Sequence, residues 1–160
     1  MIFMDYYSSI ARGYSELYGE EQLKKVKIII KELKIKDEKV LDIACGPALY
    51  SKLFKYYAGI DSSKGLLKQT TANVIFGKAE KLPFKNKSFD VVICVTAIHN
   101  FDDTKKAIIE MKRVSKSKIA ITLLKKSKKF SIIKELIYEY LDVYEIKEDK
   151  DIIFIQDSNS

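Results

Sequence analysis

Two acids stand out by what surrounds them. Asp42 lies in "VLDIACGPAL" and is followed closely by Ala44, Cys45, Gly46, Pro47 and Ala48. Asp61 closes "YYAGID", with Ser62 next. It comes roughly 20 residues after Asp42, an interval at which an acid can accept both hydroxyls of a ribose. Two further clusters follow: Gly77, Lys78, Ala79 and Glu80, then Thr96, Ala97, Ile98, His99 and Asn100. A glycine lets backbone approach a ligand, a carboxylate accepts hydroxyl or amine hydrogens, and a histidine can move a proton near neutral pH. The plainer reading makes Asp42 and Asp61 caps at strand ends and the single histidine a structural one. Cys45 and Cys94 show no CxxC or Cys/His spacing, so neither a metal site nor a disulfide framework is expected. They read as small buried apolar residues.

These clusters can cooperate only if the chain carries them to one edge of the fold. "KVLDIA", "YYAGID", "NVIF", "SFDVVICVTA" and "KIAITLL" read as strands, several of them near-continuous apolar runs of the kind buried on both faces. Leu23, Val26, Ile29, Ile30 and Leu33 recur at helical spacing and predict an amphipathic helix over 20–35, with lysines on the other face. A shorter helical stretch, "YYSSIARGYSELY", precedes it. Pro47 suits the first turn of a short helix to about Lys55. Ser62 and Ser63 are N-caps for a helix to about Thr70, and Asp102 or Asp103 caps one carrying Ala107, Ile108, Met111 and Val114. A helix over Ser127–Leu141 turns Phe130, Ile133, Leu136, Ile137 and Tyr140 inward. "VYEIKED" and "KDIIFIQD" close the chain as two strands. Strands alternating with helices predict an α/β fold: Rossmann-like, doubly wound, with a mostly parallel seven-stranded sheet and an antiparallel C-terminal strand. In such sheets ligands bind beyond the carboxyl ends of the strands, where all four clusters fall.

The 160 residues predict one domain, with 1–35 as lid and helix and 36–160 as core. The chain is 47% apolar, enough for a core, and no run approaches the roughly 18 apolar residues of a membrane span. "MIFMDYYSSI" lacks a basic region and a long apolar run, so a secretory signal is not expected and the protein reads as cytoplasmic. Neither a membrane nor DNA is expected as a partner. The formal net charge of +7 fits either an anionic partner or the lysine-rich composition of heat-loving organisms.

Three stretches together resemble the class I S-adenosylmethionine-dependent methyltransferases. "VLDIACGPA" is similar to the first motif of that family and "GIDSS" to its ribose-binding second motif. "GKAEKLPFKNKSFDVVICVTAIHNFDD" resembles the third and fourth motifs, in the branch related to the ubiquinone and menaquinone C-methyltransferases. "AIIEMKRVSK" and the N-terminal "YYSSIARGYSEL" resemble that branch's helix before strand five and its lid helix. The resemblance implies S-adenosyl-L-methionine as cofactor. It assigns Gly46 and Ala44 to the methionine loop, Asp42 to the loop or the cofactor amino group, and Asp61 to the ribose. Ser62, Glu80 and Thr96 join this cofactor-binding set. Ala79 would offer its N–H to adenine and Tyr14 would cover the cofactor from the lid.

The pattern departs from the family in three places. Ala44 and Ala48 replace the first and third motif glycines, which costs on the order of 1 kcal/mol wherever φ must be positive. Lys78 stands where relatives often carry the aspartate that accepts the adenine amine, and lysine only donates. The fourth strand ends "TAIHN" rather than in the Asn/Asp-Pro-Pro-aromatic motif, which disfavours methylation of exocyclic amines. His99 is the candidate base. His99, Asn100, Lys125 and Lys126 are candidate acceptor-binding residues. Eight basic residues and no acid lie between Lys112 and Lys129. Those after the fifth strand are expected on the side of the site. The acceptor is read as a small molecule. A second reading follows from "ACGPALY" and "TAIHNF", which resemble the tRNA wobble-uridine methyltransferases that esterify a carboxymethyl group alongside a small activator protein. A third makes the chain a non-catalytic binding subunit with a degenerate cofactor loop.

Overall fold

The computed structural model describes residues 19–157. Within them, helix α1 (Gly19–Leu33) leads into strand β1 (Lys39–Ile43), a 3-10 turn (Ser51–Leu53) and β2 (Tyr56–Asp61). Then come α2 (Lys64–Leu67), β3 (Val74–Phe76), β4 (Phe89–Val95), a second 3-10 turn (Ile98–Asn100) and α3 (Thr104–Val114). The chain closes with β5 (Ser115–Leu124), α4 (Phe130–Tyr140), β6 (Tyr144–Lys147) and β7 (Asp151–Asp157). The strands form one seven-stranded sheet in the order β3-β2-β1-β4-β5-β7-β6. Only β7 runs antiparallel, and it is inserted between β5 and β6 rather than added at the edge.

The sheet buries both faces. Along β1, Leu41 and Ile43 pack with α3 and α4 residues such as Ala107, Ile108, Met111 and Ile137. Val40 faces the opposite layer with Val26, Ile29 and Leu33 of α1. β4 alternates the same way: Val92 and Cys94 join the first layer, Val91, Ile93 and Val95 the second. Period-2 alternation between two apolar layers explains why these strands read as continuous apolar runs.

Several expected boundaries shift. The stretch after Pro47 forms only the single 3-10 turn, because Ala48 has φ of 53° and a left-handed residue cannot continue a right-handed helix. Ser63, not Ser62, caps α2, accepting from Leu66 N–H at 3.3 Å, and α2 ends at Leu67 rather than near Thr70. Asp103 is the N-cap of α3, accepting from Lys106 N–H at 3.1 Å. The face of α1 also needs correction. Its buried stripe is Gln22, Lys25, Val26, Ile29 and Leu33, while Leu23 and Ile30 are half-buried. Lys25 therefore lies on the core face, only 2% exposed. The lid stretch and Tyr14 fall outside the described residues.

Candidate active site

The chain runs from β1 through β2 to β3 on one side, then returns to place β4 on the other side of β1. That reversal opens a crevice at the carboxyl ends of β1 and β4, where an open α/β sheet takes its ligands. Ile43 pairs with both Ile60 and Cys94, so the three central strands end level with one another. Just past these ends sit the residues of the sequence clusters.

The loop after β1 alternates its backbone handedness. Ala44, Gly46 and Ala48 have φ of 58°, 53° and 53°. Both alanines thus occupy positions suited to glycine, each at roughly 1–2 kcal/mol of strain. Their methyl groups have not closed the site. A Cβ placed on Gly46 would meet nothing nearer than Leu66 Cδ1 at 3.8 Å, so the space over the loop is open. On its other side the loop is seated by Gly59, where a Cβ would stand 2.7 Å from Cys45 Sγ. Ala44→Gly and Ala48→Gly are each expected to stabilise the fold by up to about 1 kcal/mol. Relief of strain outweighs the ~0.4–1 kcal/mol of added unfolded-chain entropy. Urea midpoints measure this, and a lower midpoint in both variants would refute it.

Asp61 holds the loop from β2. Its Oδ2 accepts from Gly46 N–H at 2.8 Å and its Oδ1 from Ser63 N–H at 2.8 Å. A carboxylate has roughly four lone-pair sites, so Asp61 retains capacity for two ligand hydroxyls. It also marks a junction. A cleft of about 260 Å³ lies between Gly46, Tyr50, Leu66, Thr96 and Ala97. A side pocket of about 80 Å³ lies between Ile60, Gly77, Lys78, Ala79, Glu80 and Asp102. Ala44, Asp61, Ser62, Asn100 and Phe101 border both. The pair forms one trough with a carboxylate at its waist.

Asp42 lies beneath this trough and does not line it. It is fully buried, accepting from Tyr57 Oη–H at 2.6 Å and, at 3.5 Å, from Tyr50. Its place is therefore to hold Tyr50, which lines the cleft. Burial pushes its carboxyl up to about 7, against the pull of the two tyrosine hydroxyls. The folded carboxyl stays protonated as the unfolded one ionises near its ordinary 3.8. The folded state binds the extra proton, so this contribution is full below about pH 4 and lost as pH rises to about 7. Urea titrations at pH 5 and pH 7.5 are expected to show a fall with pH on the order of a few kcal/mol that Asp42→Asn removes. An identical slope in the variant would refute it.

Thr96, at the end of β4, closes the other wall. It is β-branched yet has φ of 50°, a backbone conformation such residues avoid. Polar groups below hold it there. Thr96 Oγ1 lies 2.7 Å from Asp151 Oδ2, 3.1 Å from Thr122 Oγ1 and 3.3 Å from Gln22 Oε1, and receives Lys25 Nζ at 3.2 Å. Thr96 N–H donates to Thr122 Oγ1 at 2.7 Å. Lys25 and Asp151 form an ion pair at 3.1 Å, 2% and 0% exposed. Lys25, Thr122, Asp151 and Gln22 were not among the sequence candidates. Their one visible signal was a lysine and a glutamine on the apolar stripe of α1.

The remaining candidates divide. Ser62, Ala79, Glu80 and Asn100 line the trough, and Glu80 also accepts Asp103 N–H at 3.2 Å. His99 sits in the turn after β4, beside the cleft rather than on it; its Nδ1 is buried with no hydrogen-bond partner among the described residues. Burial holds its pKa below the ordinary value; Asp151 opposes the fall and the Lys129 charge adds to it. The imidazole is thus neutral at pH 7 and able to accept a proton. Lys125 and Lys126 do not line the trough: Lys125 Nζ donates to the carbonyls of Glu148 and Asp149 at 2.6 and 3.0 Å, bracing the β6–β7 turn. Of the basic run before the core of β5, Arg113 binds Glu110 and the carbonyls of Leu82 and Phe84, and Lys116 pairs with Asp90.

Residues 41–121 match the methyltransferase domain family, about half the chain. The chain belongs to this family, the class I S-adenosylmethionine-dependent methyltransferases resembling the quinone methyltransferases, and S-adenosyl-L-methionine is the cofactor of that class. An uncharacterized protein of Methanocaldococcus jannaschii is 37% identical over 117 residues, 70% of this chain and 47% of its own. The demethylmenaquinone methyltransferase of Thermotoga maritima is 29% identical over 137 residues, 76% of this chain and 60% of its own. The chain thus spans about half the length of curated relatives it matches. A Pyrococcus horikoshii protein shares the fold with a TM-score of 0.76 at 22% identity, over 89% of this chain and 92% of that one. A chain from a Haloferax volcanii complex between a methyltransferase and its methyltransferase activator shares it with a TM-score of 0.74 at 12% identity, over 96% and 95%.

Proposed function

We propose that the trough binds S-adenosylmethionine and that the domain passes its methyl group to a small-molecule acceptor entering beside His99 and Asn100. The observation that carries this reading is Asp61. Its carboxylate stands at the waist between cleft and side pocket, where a ribose would sit with a base on one side and an amino-acid chain on the other. Gly46, Ala44 and Thr96 would flank the amino-acid chain. Ser62 and Glu80 would border the nucleoside, and Ala79 would offer its N–H to the base. Residues 1–35 would supply a lid stretch and a helix to the 36–160 core, with Tyr14 of the lid stretch covering the site.

When bound, the cofactor supplies a sulfonium-activated methyl group, so the chain's own work is alignment and exclusion of water. His99, neutral and partly buried, would take a proton from an acceptor that carries one. No helix among the described residues is long and apolar enough to cross a membrane, in keeping with a cytoplasmic enzyme. Calorimetric titration with S-adenosylmethionine and S-adenosylhomocysteine tests the reading. Micromolar binding is expected; none at millimolar ligand would overturn it and favour a non-catalytic subunit.

A second reading, a tRNA wobble-uridine methyltransferase working with a small activator, draws on the likeness to the chain from the Haloferax volcanii activator complex. Exposed Lys126, Lys128 and Lys129 after β5 add to it. It requires tRNA affinity that falls steeply with salt. Tight binding that ignores salt, or none, would sink it.

A further inference from the structure

The side pocket contains a charge arrangement that the first-motif loop does not explain. Lys78 lines it, exposed, and its ammonium pairs with no acid among the described residues. Asp102, also exposed, lines the same pocket, and its carboxylate accepts no hydrogen bond and joins no ion pair among the described residues. Two further carboxylates line the pocket and are engaged: Glu80 Oε2 accepts Asp103 N–H at the start of α3, and Asp61 accepts Gly46 and Ser63 N–H. Ile60, Ala79 and Phe101 offer apolar surface to a flat ring, with Ser62 and Asn100 at the border shared with the cleft.

Adenine presents an amine that donates beside a ring nitrogen that accepts. Lysine can only donate and an ionised carboxylate can only accept. We propose that Asp102 is the acceptor for the amine of the cofactor's base and that Lys78 donates to a ring nitrogen of the same edge. Base specificity then comes from the segment before α3 rather than from the one after β3. This assignment rests on the reading of the trough as a S-adenosylmethionine site. It places an acceptor and a donor where a base attached to an Asp61-bound ribose would extend.

The test compares S-adenosylhomocysteine with its deaminated counterpart, in which an oxo group replaces the amine, by calorimetry on the full chain. Wild type is expected to prefer the adenine compound. Asp102→Ala should weaken that compound about tenfold or more and leave the deaminated one unchanged, erasing the preference. Adding Lys78→Asp to Asp102→Ala should restore it, by returning a carboxylate acceptor to the same pocket. Equal losses for both ligands in Asp102→Ala, or an undiminished preference, would overturn the assignment while leaving the cofactor reading in place. Wild type that binds neither ligand would overturn the cofactor reading, and this assignment with it.

Discussion

Titration of an Asp61→Ala variant with S-adenosylmethionine is expected to give an affinity at least about 100-fold below wild type, since two hydrogen bonds to a charged acceptor are lost. A second effect adds to this. Asp61 also holds Gly46 N–H and Ser63 N–H, both at 2.8 Å, so its removal frees the loop after β1 as well as removing the proposed ribose contact. Loss of those loop bonds is expected to lower stability by roughly 1–3 kcal/mol, which urea unfolding would register. Asp61→Asn separates the two roles poorly, because its NH2 must face one of two N–H donors. It is expected to fall near alanine rather than near wild type. Affinity that is unchanged in Asp61→Ala would remove Asp61 from the ribose site.

The second large effect lies under the cleft. Lys25→Met leaves Asp151 as a buried charge without its counterion and is expected to cost about 3–5 kcal/mol in urea unfolding. The double variant Lys25→Met/Asp151→Leu should regain most of that loss, because two apolar side chains replace both desolvated charges. The double variant strips Thr96 Oγ1 of both its charged partners, Asp151 at 2.7 Å and Lys25 at 3.2 Å, leaving it only Thr122 and Gln22. The regained stability should therefore not restore cofactor affinity, which depends on the wall Thr96 forms. A single variant as stable as wild type would contradict the ion pair as a fold element.

The strands and their ends were legible because their signal is local. Apolar runs of strand length, acids at the points where they stop, and caps such as Asp103 all lie within a few residues of what they govern. That locality put Asp61, Gly46, Ala79 and Thr96 near one edge before any coordinates. It also raised the right question about Ala44 and Ala48, but a residue type does not reveal its own φ. Only the loop's closure over β1, with Cys45 seated on Gly59, forces both alanines to the left-handed side. The Lys25–Asp151–Thr96–Thr122 cluster joins residues from α1, β7, β4 and β5. No periodicity connects positions so far apart in the chain. Lys25 appeared solvated because lysines usually are, and the ion pair that makes burial tolerable comes from a strand more than 120 residues later. Asp42 shows the same division: the sequence alone determined that an acid lies near the end of the first strand, and the tyrosines packed over it decided that it sits inside the strand and supports the site from below.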